Sequence, residues 1–297
     1  MTESSPFLSR LERFGSVPST NDIVRGWLAA GTPEVCLATT DEQTAGRGRS
    51  GRTWVAPAGA ALPLSIGFRP AYLVPDRLWR LAAIVAMAMA DAAEAVSGLA
   101  VGKLRLKWPN DIVVEGPAGL LKVAGVLGET DGIGTDDPWA IIGIGINADW
   151  PRDRFPSELA GSMTSLREVS GGRPIDVDEL LDAFLLRLEP RVVGLRDGKF
   201  DVAGWHDRQV TTGRMVRIEL PGGAAETVLA VGVDGATGAL LVEDKDVPDV
   251  EREVLVGEVV RVRLVGEGTE ASEAERGGAA STRAASRHSA SGVGVTN

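Results

Sequence analysis

The sequence predicts an α+β protein in which a central mixed β-sheet is flanked by helices and followed by a small β-barrel. Between residues 17 and 206, apolar stretches of strand length alternate with amphipathic helical patterns. From Thr212 onward, short strand patterns separated by glycine turns follow one another, which is typical of a barrel. We therefore expect a first domain over residues 10–210 and a barrel over 211–265, before a disordered tail at 266–297 that is rich in Ala, Ser and Gly.

The composition is that of an ordinary globular protein, and it excludes several kinds of site. The chain has 297 residues, 44% of them hydrophobic, and its formal net charge of -10 argues against a nucleic-acid-binding protein. Its one cysteine, Cys36, excludes an internal disulfide and a cysteine-ligated zinc site, and two histidines leave little room for histidine-based catalysis. No signal-peptide pattern opens the chain and no stretch approaches about 18 apolar residues, so we expect a cytoplasmic protein that does not enter a membrane.

The first predicted helix begins at Ser19-Thr20-Asn21 and ends before Gly31. N-capping by Ser19 or Thr20 is the simplest interpretation of three small polar residues at a helix start. The alternative is that these residues offer hydrogen-bond donors and acceptors to the polar head of a ligand. The sequence leaves both interpretations open.

The loop from Asp41 to Trp54 is the most distinctive segment, and it follows a predicted strand at Val35–Thr40. Glycine lets a backbone approach a ligand closely, and arginine binds phosphate or carboxylate through two parallel hydrogen bonds. The pattern therefore predicts a mobile loop that closes over an anion. Its defining residues are Gln43, Gly46, Arg47, Gly48, Arg49, Gly51 and Arg52.

Two other interpretations of this loop compete with anion binding. Its glycines match the dinucleotide fingerprint, but that fingerprint requires a helix directly afterwards, and Pro57 and Gly59 follow instead. A solvated, arginine-rich turn without function is the simpler alternative, because runs of charge are usually solvated.

The middle of the first domain combines strands with one long helix. We predict strands at Ala60–Phe68, Leu104–Trp108 and Ile112–Val114, and a helix at Asp76–Val96. The turn residues at 116–119 predict a hairpin whose return strand carries Lys122 near its start.

A nearly all-apolar strand at Trp139–Ile146 ends at Asn147, and we expect it to be buried on both faces. Gly143 and Gly145 in this strand indicate close approach by another backbone or by a flat ligand. A helix at Asp176–Leu195, kinked or broken at Pro190, and a short helix near residues 200–206 complete the domain. The predicted barrel strands are Met215–Leu220, Thr227–Val233, Ala239–Glu243 and Glu258–Leu264.

Four motifs in this order closely resemble those of the biotin protein ligases. They are the Gly-Arg-Gly-Arg-x-Gly-Arg-x-Trp stretch at 46–54, Lys-Trp-Pro-Asn-Asp at 107–111, Lys-x-Ala-Gly-x-Leu at 122–127 and Gly-Ile-Gly-Ile-Asn at 143–147. The resemblance covers roughly residues 10 to 265; at Ser50 some family members carry another arginine. It implies a class II synthetase-like catalytic fold with an SH3-like C-terminal barrel. Only about 15 residues precede the catalytic domain, so we expect the monofunctional kind without a DNA-binding domain.

The resemblance implies that biotin and ATP, with Mg²⁺, form biotinyl-5′-adenylate, which then acylates a lysine of a biotin carboxyl carrier domain. It implies biotin contacts from Ser19, Thr20, Asn21, Gln43, Arg47, Gly48, Arg49 and Lys122. It implies nucleotide contacts from Arg47, Arg49, Arg52, Trp54, Asn110, Lys122 and Asn147. The catalytic residues would be Lys122, Arg47 and Arg49, and Asp111 would assist the magnesium ion.

The expected partner is the carrier domain of acetyl-CoA carboxylase or of a related acyl-CoA carboxylase. We expect a monomer, or a dimer that forms weakly with ligand. A lipoate ligase or octanoyltransferase, which shares the catalytic architecture, is the main alternative. A non-catalytic biotin sensor and a DNA-binding repressor are the others, disfavoured by the presence of Lys122 and by the acidic balance respectively.

Overall fold

A computed structural model describes residues 7–117, 119–243, 251–255 and 261–265. The helices are α1 Thr20–Ala29, α2 Trp79–Ser97, α3 Leu166–Val169, α4 Val177–Arg196 and α5 Val202–Asp207. The strands before residue 150 are β1 Arg10–Val17, β2 Cys36–Gln43, β3 Ala61–Phe68, β4 Arg105–Lys107, β5 Asp111–Gly116, β6 Gly119–Asp131 and β7 Trp139–Asn147. The later strands are β8 Arg214–Glu219, β9 Ala225–Val233, β10 Leu240–Glu243, β11 Glu251–Val254 and β12 Arg261–Leu264.

The main sheet has seven strands in the order β1-β2-β3-β7-β6-β5-β4. β1 pairs with β2 in parallel, and the remaining neighbours are antiparallel, which confirms the predicted mixed sheet. β1 was not predicted from the sequence. It lies at the sheet edge and carries Arg10, Glu12 and Arg13, so it lacks the apolar alternation by which a half-buried strand is recognised.

Helices cover the two faces of this sheet unequally. One face packs on α2, which in turn packs on α4, and buries side chains such as Ile142, Ile144 and Val126. The other face is covered only in part, by α1. This helix packs closely because a Cβ on Gly67 of β3 would lie 2.8 Å from Val24 of α1. The rest of that second face is left for loops and for the site described below.

α4 continues through Pro190, so of the two predicted outcomes the break is wrong, and a kink at that residue stays a prediction. Proline removes the hydrogen bond to the carbonyl four residues earlier, here that of Leu186. Both Pro190 and Leu186 are exposed, and water can therefore satisfy the freed carbonyl.

A second, antiparallel sheet in the order β11-β10-β9-β8-β12 forms the C-terminal region and is consistent with an SH3-like fold. β8, β9 and β10 confirm three predicted strands, and β11 was not predicted. The start of the fourth predicted strand, 258–260, and the predicted disordered tail at 266–297 lie outside the described residues. The domain boundary at residue 211 stays a prediction. Within the described ranges, no helix is both long and apolar enough to cross a membrane.

Candidate functional site

Three glycines form a flat strip on the sheet face that α1 leaves partly open. Gly125 of β6 pairs with Gly145 of β7, and Gly143 of β7 pairs with Leu127 of β6 and with Ser65 of β3. Residues paired across antiparallel strands project from the same face, so the three glycines share one surface. Each has a side chain from elsewhere lying where its own Cβ would be. These side chains are Lys122 on Gly125, Asn21 on Gly143 and Trp54 on Gly145.

Asn21 lies closest to the strip, since a Cβ on Gly143 would be 2.3 Å from its Oδ1. It belongs to a group of four polar residues that we call the polar cluster: Thr20, Asn21 and Ser65, which are buried, and Gln43, which is half-buried. The Gln43 Oε1 accepts hydrogen bonds from the Thr20 N–H (2.8 Å) and the Thr20 hydroxyl (3.1 Å). The Ser65 hydroxyl donates to the Asn21 Oδ1 at 2.6 Å and lies 2.7 Å from the Thr20 Oγ1.

The hydrogens of the polar cluster can be assigned by counting donors. Ser65 has one hydroxyl hydrogen, which goes to Asn21, so the single hydroxyl hydrogen of Thr20 is shared between its contacts with Ser65 and Gln43. Both hydroxyl hydrogens are then used within the cluster. The Asn21 Nδ2 is buried and has no hydrogen-bond partner among the described residues. An unsatisfied buried donor is costly, so this amide is suited to a ligand's carbonyl oxygen.

This arrangement bears on the two interpretations of Ser19-Thr20-Asn21. Ser19 occupies the N-cap position, but its side chain makes no capping hydrogen bond to the helix. The Thr20 and Asn21 side chains turn toward β2, β3 and β7 instead. Simple capping therefore does not account for these residues, and the geometry favours the ligand-binding interpretation.

Trp54 lies across Gly145, with ring atoms 2.6 Å from the position of a Cβ there. The close approach predicted at Gly143 and Gly145 is thus made by two side chains, an amide and an indole. Trp54 also packs at the edge of a small apolar cluster that contains Trp150 and Met163. The predicted contact of Trp54 with a nucleotide stays a prediction.

A β-bulge places Lys122 on the same face as the strip. Ile112 of β5 pairs with Ala124 but Val113 pairs with Lys122, so Val123 is an extra residue in β6. The extra residue reverses the alternation and brings Lys122 to the face of Gly125. There the Lys122 Nζ forms a 2.6 Å ion pair with the Asp111 Oδ1.

Backbone contacts fix Lys122 from its other side. Its N–H donates to the Ser162 carbonyl and its carbonyl accepts from the Thr164 N–H, each at 2.9 Å. The Asn147 Nδ2 donates to the carbonyl of the same Thr164 at 2.9 Å, and the Asn110 Nδ2 donates to the Val126 carbonyl at 2.9 Å. The structure therefore brings the predicted residues Lys122, Asn110 and Asn147 together with Asp111 around β5, β6 and β7.

The segment from Gly46 to Trp54, which we call the arginine loop, folds as a narrow hairpin. Arg47 and Thr53 form a β-bridge, and the Trp54 N–H donates to the Gly46 carbonyl at 2.9 Å. Gly46 must be glycine, because a Cβ there would lie 2.5 Å from the Trp54 carbonyl oxygen. The loop and two residues of β6, Leu127 and Glu129, line an open cavity of about 650 Å³.

Arg47 is held by two carboxylates in the described structure. Its guanidinium donates two hydrogen bonds of 2.8 Å to Asp22 and one of 3.3 Å to Glu129. Arg25 pairs with both of these carboxylates as well. The hydrogen bond from Arg47 is the main reason that the pKa of Asp22 is lowered, and the same bond raises the pKa of Arg47. The pairing therefore persists at neutral pH and is lost as the pH falls through the lowered pKa of Asp22.

The other two arginines of the loop are placed differently. Arg49 is partly buried, which lowers its pKa, and it lies close enough to Asp111 to feel that charge. Arg52 is exposed, and its Nε donates to the Arg49 carbonyl at 3.1 Å, so its guanidinium serves the loop itself. The loop thus directs Arg47 and Arg49 toward the sheet, whereas Arg52 stays at its rim.

The sequence did not single out three residues that the structure brings into the site. Ser65 was the one polar residue in an apolar strand pattern, which was an available signal. Asp22 lies in the first turn of α1, where an acidic residue is common without any ligand. Glu129 carried no signal without the register of β6 against the loop.

A magnesium ion is implied by the resemblance, and the described residues offer it one carboxylate. No group of three or more His, Cys, Asp or Glu side chains in the described ranges could hold a metal ion. Mg²⁺ commonly takes one or two carboxylates together with substrate phosphates and water. Asp111 fits the role of such a single ligand, with the remaining oxygens supplied by a bound triphosphate.

Comparisons with known proteins agree with this geometry. A model of the Biotin/lipoate A/B protein ligase family matches residues 14–147. The biotin--[acetyl-CoA-carboxylase] ligase of Mycobacterium tuberculosis is 31% identical over 228 residues, which are 76% of this chain and 80% of that protein. The bifunctional ligase/repressor of Bacillus spizizenii is 36% identical over 159 residues, which are 54% of this chain and 46% of that protein.

A solved structure extends the likeness to the whole fold. The biotin protein ligase of Aquifex aeolicus in complex with biotin and ATP is 26% identical, with a TM-score of 0.69. The superposition covers 86% of this chain and 99% of that one. Given the extent of the match to the mycobacterial ligase and this agreement of the folds, the chain belongs to the biotin/lipoate A/B protein ligase family.

Proposed function

We propose that this protein is a biotin protein ligase. It activates biotin with ATP to biotinyl-5′-adenylate and transfers the biotinyl group to a lysine of a carrier domain. The mycobacterial relative carries this activity in its name, and the Aquifex relative was solved with both small molecules.

One observation carries the proposal: the same face of the sheet holds an uncharged hydrogen-bond donor and a set of cationic side chains. Biotin has a neutral ureido head and an anionic carboxylate tail. The polar cluster of Thr20, Asn21, Gln43 and Ser65 offers a buried amide donor to a carbonyl oxygen. On the same sheet face, Lys122 lies at the Gly125 end of the strip and the arginine loop lies over Leu127 and Glu129 of β6; their cations are suited to a carboxylate and to phosphates.

The chemistry of the first step explains why cations gather there. A carboxylate oxygen attacks the α-phosphorus of ATP, the bond from that phosphorus to the bridging oxygen breaks, and pyrophosphate leaves. Two anions must therefore be held together, and Lys122, Arg47 and Arg49 reduce their repulsion. A Mg²⁺ ion, which Asp111 would help to hold, would supply further charge neutralisation. No protein nucleophile is required.

The remaining predicted residues are assigned by position. Ser19 lies buried at the entrance of α1, and Gly48 gives the loop backbone access to the biotin carboxylate. Asn110, Asn147 and Trp54 surround the end of the strip beyond Gly145, where we place the nucleotide. Arg52 contacts the phosphates only after the loop moves, because its Nε now binds the loop's own carbonyl.

In the second step, the amine of a carrier-domain lysine attacks the acyl carbon of the adenylate, and AMP leaves with loss of a proton from nitrogen. The acceptor we propose is a biotin carboxyl carrier domain of acetyl-CoA carboxylase or of a related acyl-CoA carboxylase. The protein acts as a monomer, or as a dimer that forms weakly with ligand.

The test is transfer of radiolabelled biotin to a carrier domain in the presence of ATP and Mg²⁺. We expect label on the carrier, and excess unlabelled lipoate should not compete. Competition by lipoate would instead favour a lipoate ligase of the same family. Absence of label, together with absence of biotin-dependent ATP–pyrophosphate exchange, would contradict the proposal.

A matched pair of lysine variants sharpens this test. Lys122→Ala should lower the exchange rate roughly a hundredfold, since it removes a charge-assisted contact to the reacting groups. Lys199→Ala removes an exposed lysine just after α4, on the opposite side of the sheet, and should leave the rate unchanged. Equal rates in the two variants would show that Lys122 has no catalytic role.

A further inference from the structure

We infer that the turn from Asp234 to Gly238, between β9 and β10, positions the nucleotide side of the site through Trp108. The inference rests on the proposed function, because it concerns where the nucleotide binds. It gives the C-terminal sheet a defined role in the reaction and names the contact through which that role is exerted.

The turn presents three backbone carbonyls to side chains outside the C-terminal sheet. The Gly235 carbonyl accepts from the Arg80 Nη2 at 3.1 Å, and the Ala236 carbonyl accepts from the Trp79 Nε1 at 3.1 Å. The Gly238 carbonyl accepts from the Trp108 Nε1 at 3.0 Å. Three such hydrogen bonds to one five-residue turn indicate a specific docking contact rather than incidental packing.

The turn is itself held in one conformation. The Asp234 carboxylate accepts from the Ala236 N–H at 2.8 Å, the Thr237 N–H at 2.6 Å and the Thr237 hydroxyl at 3.0 Å. Gly238 has a φ of +73°, and a Cβ there would lie 2.6 Å from the Trp79 ring. Any other residue at 238 would be both strained and in collision, so the position of the Gly238 carbonyl is closely fixed.

Only one of the three contacts leads into the site. Trp79 and Arg80 belong to α2 and pack with Phe200 and Trp205 on the far side of the sheet. Trp108 instead immediately precedes Pro109-Asn110-Asp111, and its N–H donates to the Thr211 hydroxyl at 2.9 Å. Trp108 is therefore held at both ends by residues from beyond 210, its indole by Gly238 and its backbone by Thr211.

Asn110 and Asp111 extend this connection to Lys122. Asn110 bonds the Val126 carbonyl, and Asp111 pairs with Lys122 at 2.6 Å. The polar cluster has a separate support, since its members lie on α1, β2 and β3. A loosened Trp108 should therefore disturb nucleotide binding and leave the binding of biotin alone unchanged. Trp108 acts here as a positioning residue.

Two identical substitutions separate positioning from mere docking of the C-terminal sheet. Trp108→Phe and Trp79→Phe each delete one indole N–H that binds the same turn. For Trp108→Phe we expect the KM for ATP in biotin-dependent pyrophosphate exchange to rise about fivefold to tenfold. The Kd for biotin without ATP should stay within about twofold of wild type, and Trp79→Phe should leave both quantities near wild type.

Three results would overturn the inference: wild-type KM for ATP in Trp108→Phe, an equal rise in both variants, or an equal loss of biotin affinity. Thermal unfolding of both variants shows whether each is folded. Thr211→Val provides a second route, since it removes the acceptor of the Trp108 N–H with little change of shape, and it should raise the same KM. Wild-type protein is assayed first, and its failure to catalyse exchange would refute the proposed function instead.

Discussion

The polar cluster and the arginine loop lie on the same face of the sheet, but different kinds of contact hold them in place. Thr20, Asn21 and Ser65 of the cluster are each at most 5% exposed, and the cluster is joined by neutral hydrogen bonds. The arginine loop lies over a cavity, and Arg47 is joined to Asp22 and Glu129 by ion pairs open to solvent. The polar cluster is preorganised before a ligand binds, whereas Arg47 of the arginine loop can exchange its carboxylate partners for a ligand.

Recognition of the ligand's head group and neutralisation of its charge are therefore divided between the polar cluster and the arginine loop. A buried donor without a partner penalises any ligand that fails to supply an acceptor, so the cluster can discriminate between head groups. Exposed ion pairs contribute little net stability and are screened by salt, so the loop can release Arg47 at low cost.

Arg47→Ala should lower biotin-dependent pyrophosphate exchange roughly tenfold to a hundredfold, because it removes a charge-assisted contact to the reacting anions. Arg47→Lys, which keeps the charge but loses the paired donors, should recover part of the rate. The Kd for biotin in the absence of ATP should change less than the exchange rate. Normal exchange by the alanine variant would remove the loop from the mechanism.

Gly143→Ala should weaken biotin binding by about tenfold, since its Cβ would lie 2.3 Å from the Asn21 Oδ1 and displace that amide. Gly128→Ala on the neighbouring strand is the matched control, because its Cβ would meet only an ordinary contact at 3.5 Å with Ile142. Calorimetric titration of both variants with biotin measures the difference. If the two bound biotin equally well, the cluster would not be the head-group site.

Asp22→Asn should release the arginine loop in the ligand-free protein, with a rise of about twofold to fivefold in the rate of trypsin cleavage at Arg47–Arg52. The reason is that Arg47 loses its shortest ion pair and retains only Glu129. Raising the salt concentration should have the same effect on wild type and a smaller one on the variant. An unchanged cleavage pattern in Asp22→Asn would mean that Asp22 does not restrain the loop.

The smallest effect is expected at Cys36, which is buried beneath α1. Chemical labelling of its thiol measures whether α1 moves away from the sheet. Burial raises the pKa of its thiol to about 11, so iodoacetamide at pH 8 should label native protein very slowly. Because the thiol stays neutral in the fold, stability should decline slightly as the pH rises from about 8.5 toward the raised pKa. Fast labelling that biotin suppresses would show instead that α1 opens during binding.

Motifs and periodicity predicted six of the seven strands of the main sheet and its long helix, and they singled out several residues that the structure brings together on one sheet face. Gly143 and Gly145 correctly indicated close approach, because glycine inside a buried strand has few other causes. The side chains that make the approach could not be predicted, since they come from positions 21 and 54. The local sequence does not indicate which distant residue fills the space that a Cβ would occupy on a glycine.

The position of Lys122 shows the same limit more clearly. Simple alternation along β6 places residue 122 on the face opposite to residue 125, away from the strip. The extra residue Val123 reverses that outcome, and nothing in the local pattern marks it as a bulge. Glu129 likewise could be recognised only once the register of β6 was known, whereas Ser65, the one polar residue of its apolar strand pattern, carried a signal that was available from the sequence. Pro190 does not break α4, because the cost of a proline in a helix depends on whether the freed carbonyl is exposed to water, which tertiary packing decides.

The sharing of Asp22 and Glu129 between Arg25 and Arg47 has a consequence for which anions the loop can hold. A singly charged ligand that binds Arg47 replaces a carboxylate by only one other negative charge, so the net gain in binding free energy is small. A triphosphate offers several negative oxygens at once and more than replaces what it displaces. The resting ion pairs therefore favour a polyanion over a singly charged anion as the ligand that takes Arg47 from Asp22 and Glu129.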